Sequence, residues 1–417
     1  MIEPPLPLDT PADSPAPTGH SRRRSAVAWL AVALGASIPL SVAAANILLG
    51  LLALAWLAGG SVRADTCSAW RHPVTRAALV LLAILAAGAL YGLGSPAARW
   101  NMMGKYLDLL LLLPLLPTFA DPGVARRAGA ALSAAIALTL VLSWLIALGV
   151  LPRDPTWFKA VPGDASVFKD HITQSILMAF LAFVWTERAL AQGTLRRRLI
   201  NGVLAGAAVI DILFFVEGRT GYVVLLVLAL YLFASRCSWR GVVVGLAVLT
   251  VLAAGAYRFG PSFHLRVDQA VHEVANWRPD RAHKTPVGLR LDFYENSLRI
   301  IRRHPWIGVG TGGFVRAYAR EAARFHMETT NNPHNQFLLV MIETGLPGLA
   351  ALIALFVVQW RAARALAPRE RLIARGFLCT FFVGCLVNSL LIDYTERMFY
   401  VFGTALFFQA SAERGPG

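Results

Sequence analysis

The sequence predicts an all-α polytopic membrane protein with about twelve transmembrane helices. Composition is the first reason. Of 417 residues, 56% are hydrophobic and 15% charged, more apolar surface than soluble cores of ordinary domain size can hide. Spacing is the second, because apolar residues fall in runs of about 17 to 22, the length a helix needs to cross about 30 Å of hydrocarbon. The third is that arginines gather in alternate connections between those runs.

Residues 1–24, rich in Pro, Ser and Asp and ending in Arg22, Arg23 and Arg24, read as a disordered cytoplasmic tail. "RRRSAVAWLAVALGASIPLSVAAA" mimics a signal peptide, but another apolar run follows almost at once, which favours an uncleaved first span. Nine spans are expected in 25–257, centred near residues 34, 52, 83, 112, 138, 181, 207, 228 and 248. Three more are centred near 356, 382 and 405. With a cytoplasmic amino terminus the even-numbered connections should be basic. They hold Arg63, Arg71 and Arg76; Arg126 and Arg127; Arg188 and Arg196 to Arg198; Arg236 and Arg240; and Arg361, Arg364, Arg369, Arg371 and Arg375.

The long segment 258–333 then lies outside the cell membrane as a helical region between spans nine and ten. Leu291, Tyr294, Leu298 and Ile301 recur there at helical spacing, as do Val267, Val271 and Val274. Amphipathic helices on the outer leaflet or packed over the spans are expected. A short or re-entrant helix and the last three spans fill 334–413.

The net charge of +15 is explained by topology better than by nucleic acid, since the arginines form no single basic domain. Cys67 and Cys237 fall in cytoplasmic loops and Cys379 and Cys385 in a span, with no zinc spacing and no cysteine left outside for a disulfide. His264, His272, His283, His304 and His326 make no metal signature, so no metal and no cofactor are expected. "GVGTGG" at 308–313 satisfies G-x-G-x-x-G but follows His304-Pro305-Trp306 rather than a strand, and a tight turn is the better reading.

Ionisable groups at membrane depth are costly and therefore candidates for function. Arg219 in "FFVEGRTGYVV", Arg290 opening an outer helix, His334 in "NNPHNQFLLVMIETGLPG" and Asp393 in "SLLIDYTERMF" all map to the outer side. Each also has a structural reading. Arg219 could anchor a helix end, Arg290 could be solvated, His334 could be a helix-start hydrogen-bonding group, and Asp393 could cap or pair with Arg397. Their shared side favours the functional reading. Guanidinium forks suit phosphate oxygens, and a neutral imidazole suits proton removal from a sugar hydroxyl. A sugar carried on a lipid pyrophosphate satisfies both. Lys169, Arg299, Arg302 and Arg303 could draw in a phosphorylated acceptor. Asp108 and Asp211 are acidic residues inside spans, the latter a possible partner of Arg219, and raise a transporter as the alternative from another class.

His334-Asn335, nine residues, then Gly345-Leu346-Pro347-Gly348 resembles the H-[NSQ]-x9-G-x-x-G pattern of bacterial O-antigen ligases, the WaaL type. "HPWIGVGTGGF" is similar to that family's His-Pro-x-x-Gly-x-Gly stretch, and "EGRTGY" to its Arg-Ser/Thr turn, although Glu217-Gly218 precedes Arg219 where a Ser or similar small residue is expected. The resemblance implies a GT-C-like membrane glycosyltransferase in the bacterial inner membrane. It would work without metal and with inversion, transferring a glycan from undecaprenyl pyrophosphate to lipid A–core at the periplasmic face. It implies His334 as general base, Arg219 and Arg290 as ligands of the donor diphosphate, Asn335 as a substrate contact, and Asp393 as a partner orienting His334 or an arginine. O-antigen polymerases and protein O-oligosaccharyltransferases share the donor and resemble it too.

Overall fold

The computed structural model describes residues 19–154, 158–191, 193–236, 239–259, 261–279 and 281–409; Cys237 lies outside them. Seventeen α-helices occur among the described residues. The first seven are α1 (Gly19–Leu40), α2 (Val42–Ala58), α3 (Val62–Arg71), α4 (Pro73–Tyr91), α5 (Pro96–Tyr106), α6 (Leu112–Phe119) and α7 (Pro122–Ala147). Next come α8 (His171–Leu190), α9 (Leu195–Ile210), α10 (Arg219–Arg236), α11 (Trp239–Phe259), α12 (Pro261–Asn276), α13 (Pro286–Arg303) and α14 (Phe314–Arg324). The chain finishes with α15 (Gln336–Ala362), α16 (Pro368–Val387) and α17 (Tyr394–Phe408).

Helix starts follow capping chemistry. Ser41, Ser95, Asp121, Asp170, Thr285 and Asn335 each accept a first-turn N–H, and proline follows directly at 96, 122 and 286, where its missing N–H costs nothing. α1 begins at Gly19, so the last residues of the segment expected as a tail, Gly19 to Arg24, are helical. Arginine is a good helix former and lets the first apolar helix run on outward. Cys67, expected in a loop, sits exposed in α3, and it, Cys379 and Cys385 are free thiols.

Each of the twelve expected span centres falls inside a helix. Among the described residues six helical stretches are long and apolar enough to cross a membrane: Pro73–Tyr91, Pro96–Phe119, Pro122–Ala147, Leu195–Phe215, Arg219–Arg236 and Gln336–Ala365. The pair α2 and α3 makes a seventh only if its 107° bend is one span. The protein is thus polytopic, with fewer helices meeting that test than the twelve expected. The physical reason is visible in α8 and α17. Most of each is buried by neighbouring helices, so they can hold Glu187, Glu396 and Arg397 away from lipid, which lowers their hydropathy, and α17 is in addition only 15 residues long. Phe180 of α8, Phe377 and Phe381 of α16 and Phe399 and Tyr400 of α17 form the aromatic centre, with ring centroids 4.9–5.7 Å apart.

The expected helices of the outer region are present as α12 and α13. Phe293, Ile300 and Ile301 of α13 are buried and the helix packs on α15, whereas Leu265, Val271 and Val274 of α12 remain exposed. Asp108, an acidic residue of the transporter alternative, pairs with Arg397 at 2.6 Å. Asp211 is fully buried and faces Ser143 and Gln174, not Arg219.

α15 is not a continuous rod. Gly345, at φ 64° and ψ −158°, breaks it, a conformation essentially reserved for glycine. The segment 304–313 occupies the break. The N–H groups of Val309 and Gly310 donate to the carbonyls of Ile342 and Glu343, each at 2.8 Å, and Leu346 N–H donates to the Pro305 carbonyl at 2.9 Å. Glu343 Oε1 accepts the Gly312 N–H at 2.9 Å. Gly308, Gly310 and Gly312 all have positive φ. The glycine run therefore makes the expected tight turn, and its N–H groups at 309, 310 and 312 are spent on α15.

Gly345→Ala should lose about 1–3 kcal/mol of stability from strain alone, and its Cβ would also overlap the Trp306 carbonyl. At Gly104, in α5, a Cβ would meet nothing within 4 Å, so Gly104→Ala should be neutral or slightly stabilising. Thermal unfolding of the purified protein in detergent checks the contrast.

Candidate active site

The break in α15 leaves its first segment, from Gln336 to Thr344, as a short helix whose start carries His334. Three contacts fix that start. Asn335 caps it, accepting the Leu338 N–H at 3.0 Å and donating to the Leu386 carbonyl at 2.9 Å. The buried Gln336 amide donates to the Tyr106 hydroxyl at 3.0 Å and accepts the Leu391 N–H at 2.9 Å. The His334 N–H donates to Asn332 Oδ1 at 2.8 Å. His334 itself is left-handed at φ 52°, a conformation found more often at functional sites than elsewhere.

The imidazole is half-buried, stacked on Phe293 with centroids 5.9 Å apart and planes 19° from parallel. Its Nδ1 lies 3.2 Å from Asn388 Oδ1. That oxygen also accepts the Ser389 N–H at 2.9 Å, which fixes the amide with oxygen toward the ring. A carbonyl oxygen cannot donate, so Nδ1 carries the proton and Nε2 keeps its lone pair. Burial pushes the His334 pKa below 6.5, and Arg290 pushes the same way, against the Asn388 hydrogen bond. A neutral imidazole at pH 7 with Nε2 open is the form a general base needs.

Arg290, Phe293 and Tyr294 share one face of α13. The Tyr294 hydroxyl meets the His334 carbonyl at 3.2 Å. Arg290 is half-buried and lies within electrostatic range of both His334 and Arg219; burial, then Arg219, lower its pKa against Tyr294. Arg219 is exposed at the first position of α10. Gly218 and Gly221 on either side of it close onto Ser175 of α8, where a Cβ would collide. That close approach explains the glycine at 218, where the resemblance anticipates Ser or another small residue.

Asp393 makes no hydrogen bond to the imidazole among the described residues. Its pKa is raised to about 6 by burial and Asp170, against Lys105 and Arg397; of the two partners expected for it, Arg397 is within electrostatic range, whereas the hydrogen bond to the His334 ring comes from Asn388. Asp393 lines a cavity of about 470 Å³ with Asn101, Lys105, Asn331, Asn332 and Glu343. Asn332 joins this cavity to His334 through the backbone bond above. Asn388 was missed by sequence reasoning, since an asparagine ending one helix gives no signal that it meets a histidine 54 residues earlier.

The four cations expected to attract an acceptor are mostly committed elsewhere. Lys169 is buried beside Glu396 and Asp170. Arg299 pairs with Glu295 at 3.0 Å and lies over the Phe325 ring, and Arg303 pairs with Glu321. Helix packing thus turns Lys169 toward Glu396 of α17, and Arg299 and Arg303 toward carboxylates of α13 and α14. Only Arg302 among them is exposed without an ion pair among the described residues. No group of three or more His, Cys, Asp or Glu arranged to hold a metal occurs among the described residues.

An uncharacterized protein of Haemophilus influenzae is 23% identical over 261 residues, covering 60% of this chain and 63% of the relative; the chain thus spans less than two thirds of that relative's length. Residues 204–353, which hold Arg219, Arg290, His334 and the broken start of α15 but not Asp393, match the family model described as O-antigen ligase.

Proposed function

We propose that this protein is an O-antigen ligase of GT-C-like architecture. In this reading it sits in the bacterial inner membrane with its site toward the periplasm. It transfers a glycan from undecaprenyl pyrophosphate to a sugar hydroxyl of lipid A–core. The observation that carries the proposal is the convergence of Arg219, Arg290 and an open, neutral His334, with Arg290 in electrostatic range of both others.

Nε2 of His334 takes the proton of the acceptor hydroxyl. The freed oxygen bonds to the anomeric carbon as the bond from that carbon to the pyrophosphate oxygen breaks, so configuration inverts. The leaving pyrophosphate gains charge, which the guanidinium groups of Arg219 and Arg290 meet with charge-assisted hydrogen bonds. They supply positive charge that a divalent cation would otherwise bring, which supports metal-independent transfer. Bound diphosphate also offsets the repulsion that Arg290 exerts on an imidazolium, so the donor makes His334 a better base. Asn335, its amide engaged by Leu386 and Leu338, fixes the helix that carries His334, and the polar cavity beside Asp393 is the candidate entry for the acceptor sugar.

His334→Ala and Arg219→Ala should each abolish long-chain lipopolysaccharide in cells while the protein stays in the membrane. Loss of one charge-stabilising donor typically costs about 10²–10³ in rate. Normal ligation by His334→Ala would remove the base assignment. Purified protein in lipid with EDTA, synthetic donor and lipid A–core tests the reaction class directly, and product formation is the expected outcome. In a deletion strain, single-repeat caps would indicate a polymerase, and loss of glycoprotein alone an oligosaccharyltransferase.

The pH profile tests the tautomer. A base is lost as pH falls through its pKa, so the acid limb belonging to His334 should lie below 6.5. It should persist in Asp393→Asn, which removes the other group titrating nearby. In Asn388→Asp a carboxylate beside Nδ1 stabilises imidazolium, so that limb should move to higher pH. An unmoved limb would show that Asn388 does not set the protonation of the ring.

A further inference from the structure

α10 joins two places of opposite character. Its first residue, Arg219, belongs to the candidate active site. Its last, Arg236, belongs to a basic cavity at the other end. Eighteen helical residues span about 27 Å, close to the thickness of the hydrocarbon layer, so the cavity lies at head-group level on the membrane face opposite His334.

The cavity measures about 510 Å³ and is formed by α8, α10 and α16. Four arginines, Arg236, Arg369, Arg371 and Arg375, line it with one carboxylate, Glu187, an excess of three positive charges. Glu187 is itself buried and shared, paired with Arg236 and 3.6 Å from Arg369. Arg188 stands within electrostatic range of Arg369 and adds a further cation at the rim.

Basic residues are expected on the cytoplasmic side simply to orient the spans, and a topological role needs no particular arrangement. This arrangement is particular. Arg375 lies over the Trp360 ring at 4.7 Å, and Tyr231 packs against the same ring at 6.2 Å. Arg371 donates to the Leu366 carbonyl at 3.1 Å. Both guanidinium planes are therefore held in place before any ligand arrives. The Nε–H groups of Arg371 and Arg375 are buried, so it is their terminal N–H groups that can reach an anion seated in the cavity. Aromatic residues beside fixed guanidinium forks at head-group depth are suited to a phosphodiester.

We propose that this cavity binds a phosphate group, supplied by the head group of an anionic phospholipid of the leaflet opposite the active site. The proposal is independent of the glycosyl-transfer reading, since none of its residues enters that chemistry.

The test is thermal unfolding of the full-length protein in neutral detergent, titrated with phosphatidylglycerol, with phosphatidylcholine, and with inorganic phosphate. Phosphatidylglycerol should raise the unfolding temperature in a saturable way and phosphatidylcholine should not. A matching response to inorganic phosphate alone supports the same site with free phosphate as its source. Arg371→Gln/Arg375→Gln should weaken the response at least about tenfold in apparent affinity. Arg196→Gln/Arg197→Gln, which removes two exposed charges on α9, should leave it intact. Equal loss in both double variants would reduce the effect to bulk electrostatics and overturn the proposal. So would a wild-type protein that responds alike to the two lipids and not at all to phosphate, a result that does not depend on either variant folding.

Discussion

The geometry of the site depends on one substitution of hydrogen bonds. Where Gly345 breaks α15, the carbonyls of Ile342 and Glu343 find their partners in the N–H groups of Val309 and Gly310. A helix interrupted inside a membrane protein must satisfy its backbone from elsewhere, and here the loop 304–313 supplies the donors. The loop is in turn held to the end of α4, through the Leu93 N–H on the Val309 carbonyl at 2.9 Å and the Thr311 hydroxyl on the Leu85 carbonyl at 2.6 Å. The short helix carrying His334 is thereby locked to two other parts of the chain. Without the break, α15 would run straight on from its long apolar part, and His334 would be carried to a different position relative to α13 and Arg290.

Much of this was legible in the sequence, and the reason is that it rests on local chemistry. Apolar length and arginine spacing place a helix at every expected span centre. Gly345, Pro347 and Gly348 mark the break, and the run at 308–313 marks the turn that fills it. Residues whose meaning depends on a distant neighbour were not legible. Asn388 ends α16 and acquires a role only because α16 delivers it to Nδ1 of His334. Lys169 looks like an outward cation by topology, yet α17 brings Glu396 beside it. Arg303 reads as part of a basic face until α14 folds onto α13 and supplies Glu321, whereas the partner of Arg299 is Glu295, one turn back on α13.

The rule that an ionisable residue at membrane depth marks function also selects differently from what its bare statement suggests. Asp108 with Arg397, Glu396 with Thr173, and Glu343 with Gly312 are buried polar pairs joining segments far apart in sequence. Asp108 and Glu396 have a charge or lone pair engaged by the protein, as a low-dielectric interior demands, while Glu343 accepts the Gly312 N–H through Oε1 and keeps Oε2 buried without a partner among the described residues. Arg219 and His334 differ in that respect. Arg219 is exposed, with no ion pair among the described residues, and the hydrogen bonds around His334 occupy its backbone and Nδ1 while leaving Nε2 open. What sets the candidate site apart is thus bonding capacity that is both unspent and accessible, since Asp211 and Glu343 also keep unpartnered oxygens but bury them. By that measure the scaffold carboxylates hold helices together, and the imidazole and the arginines near it are the groups with capacity left for a substrate.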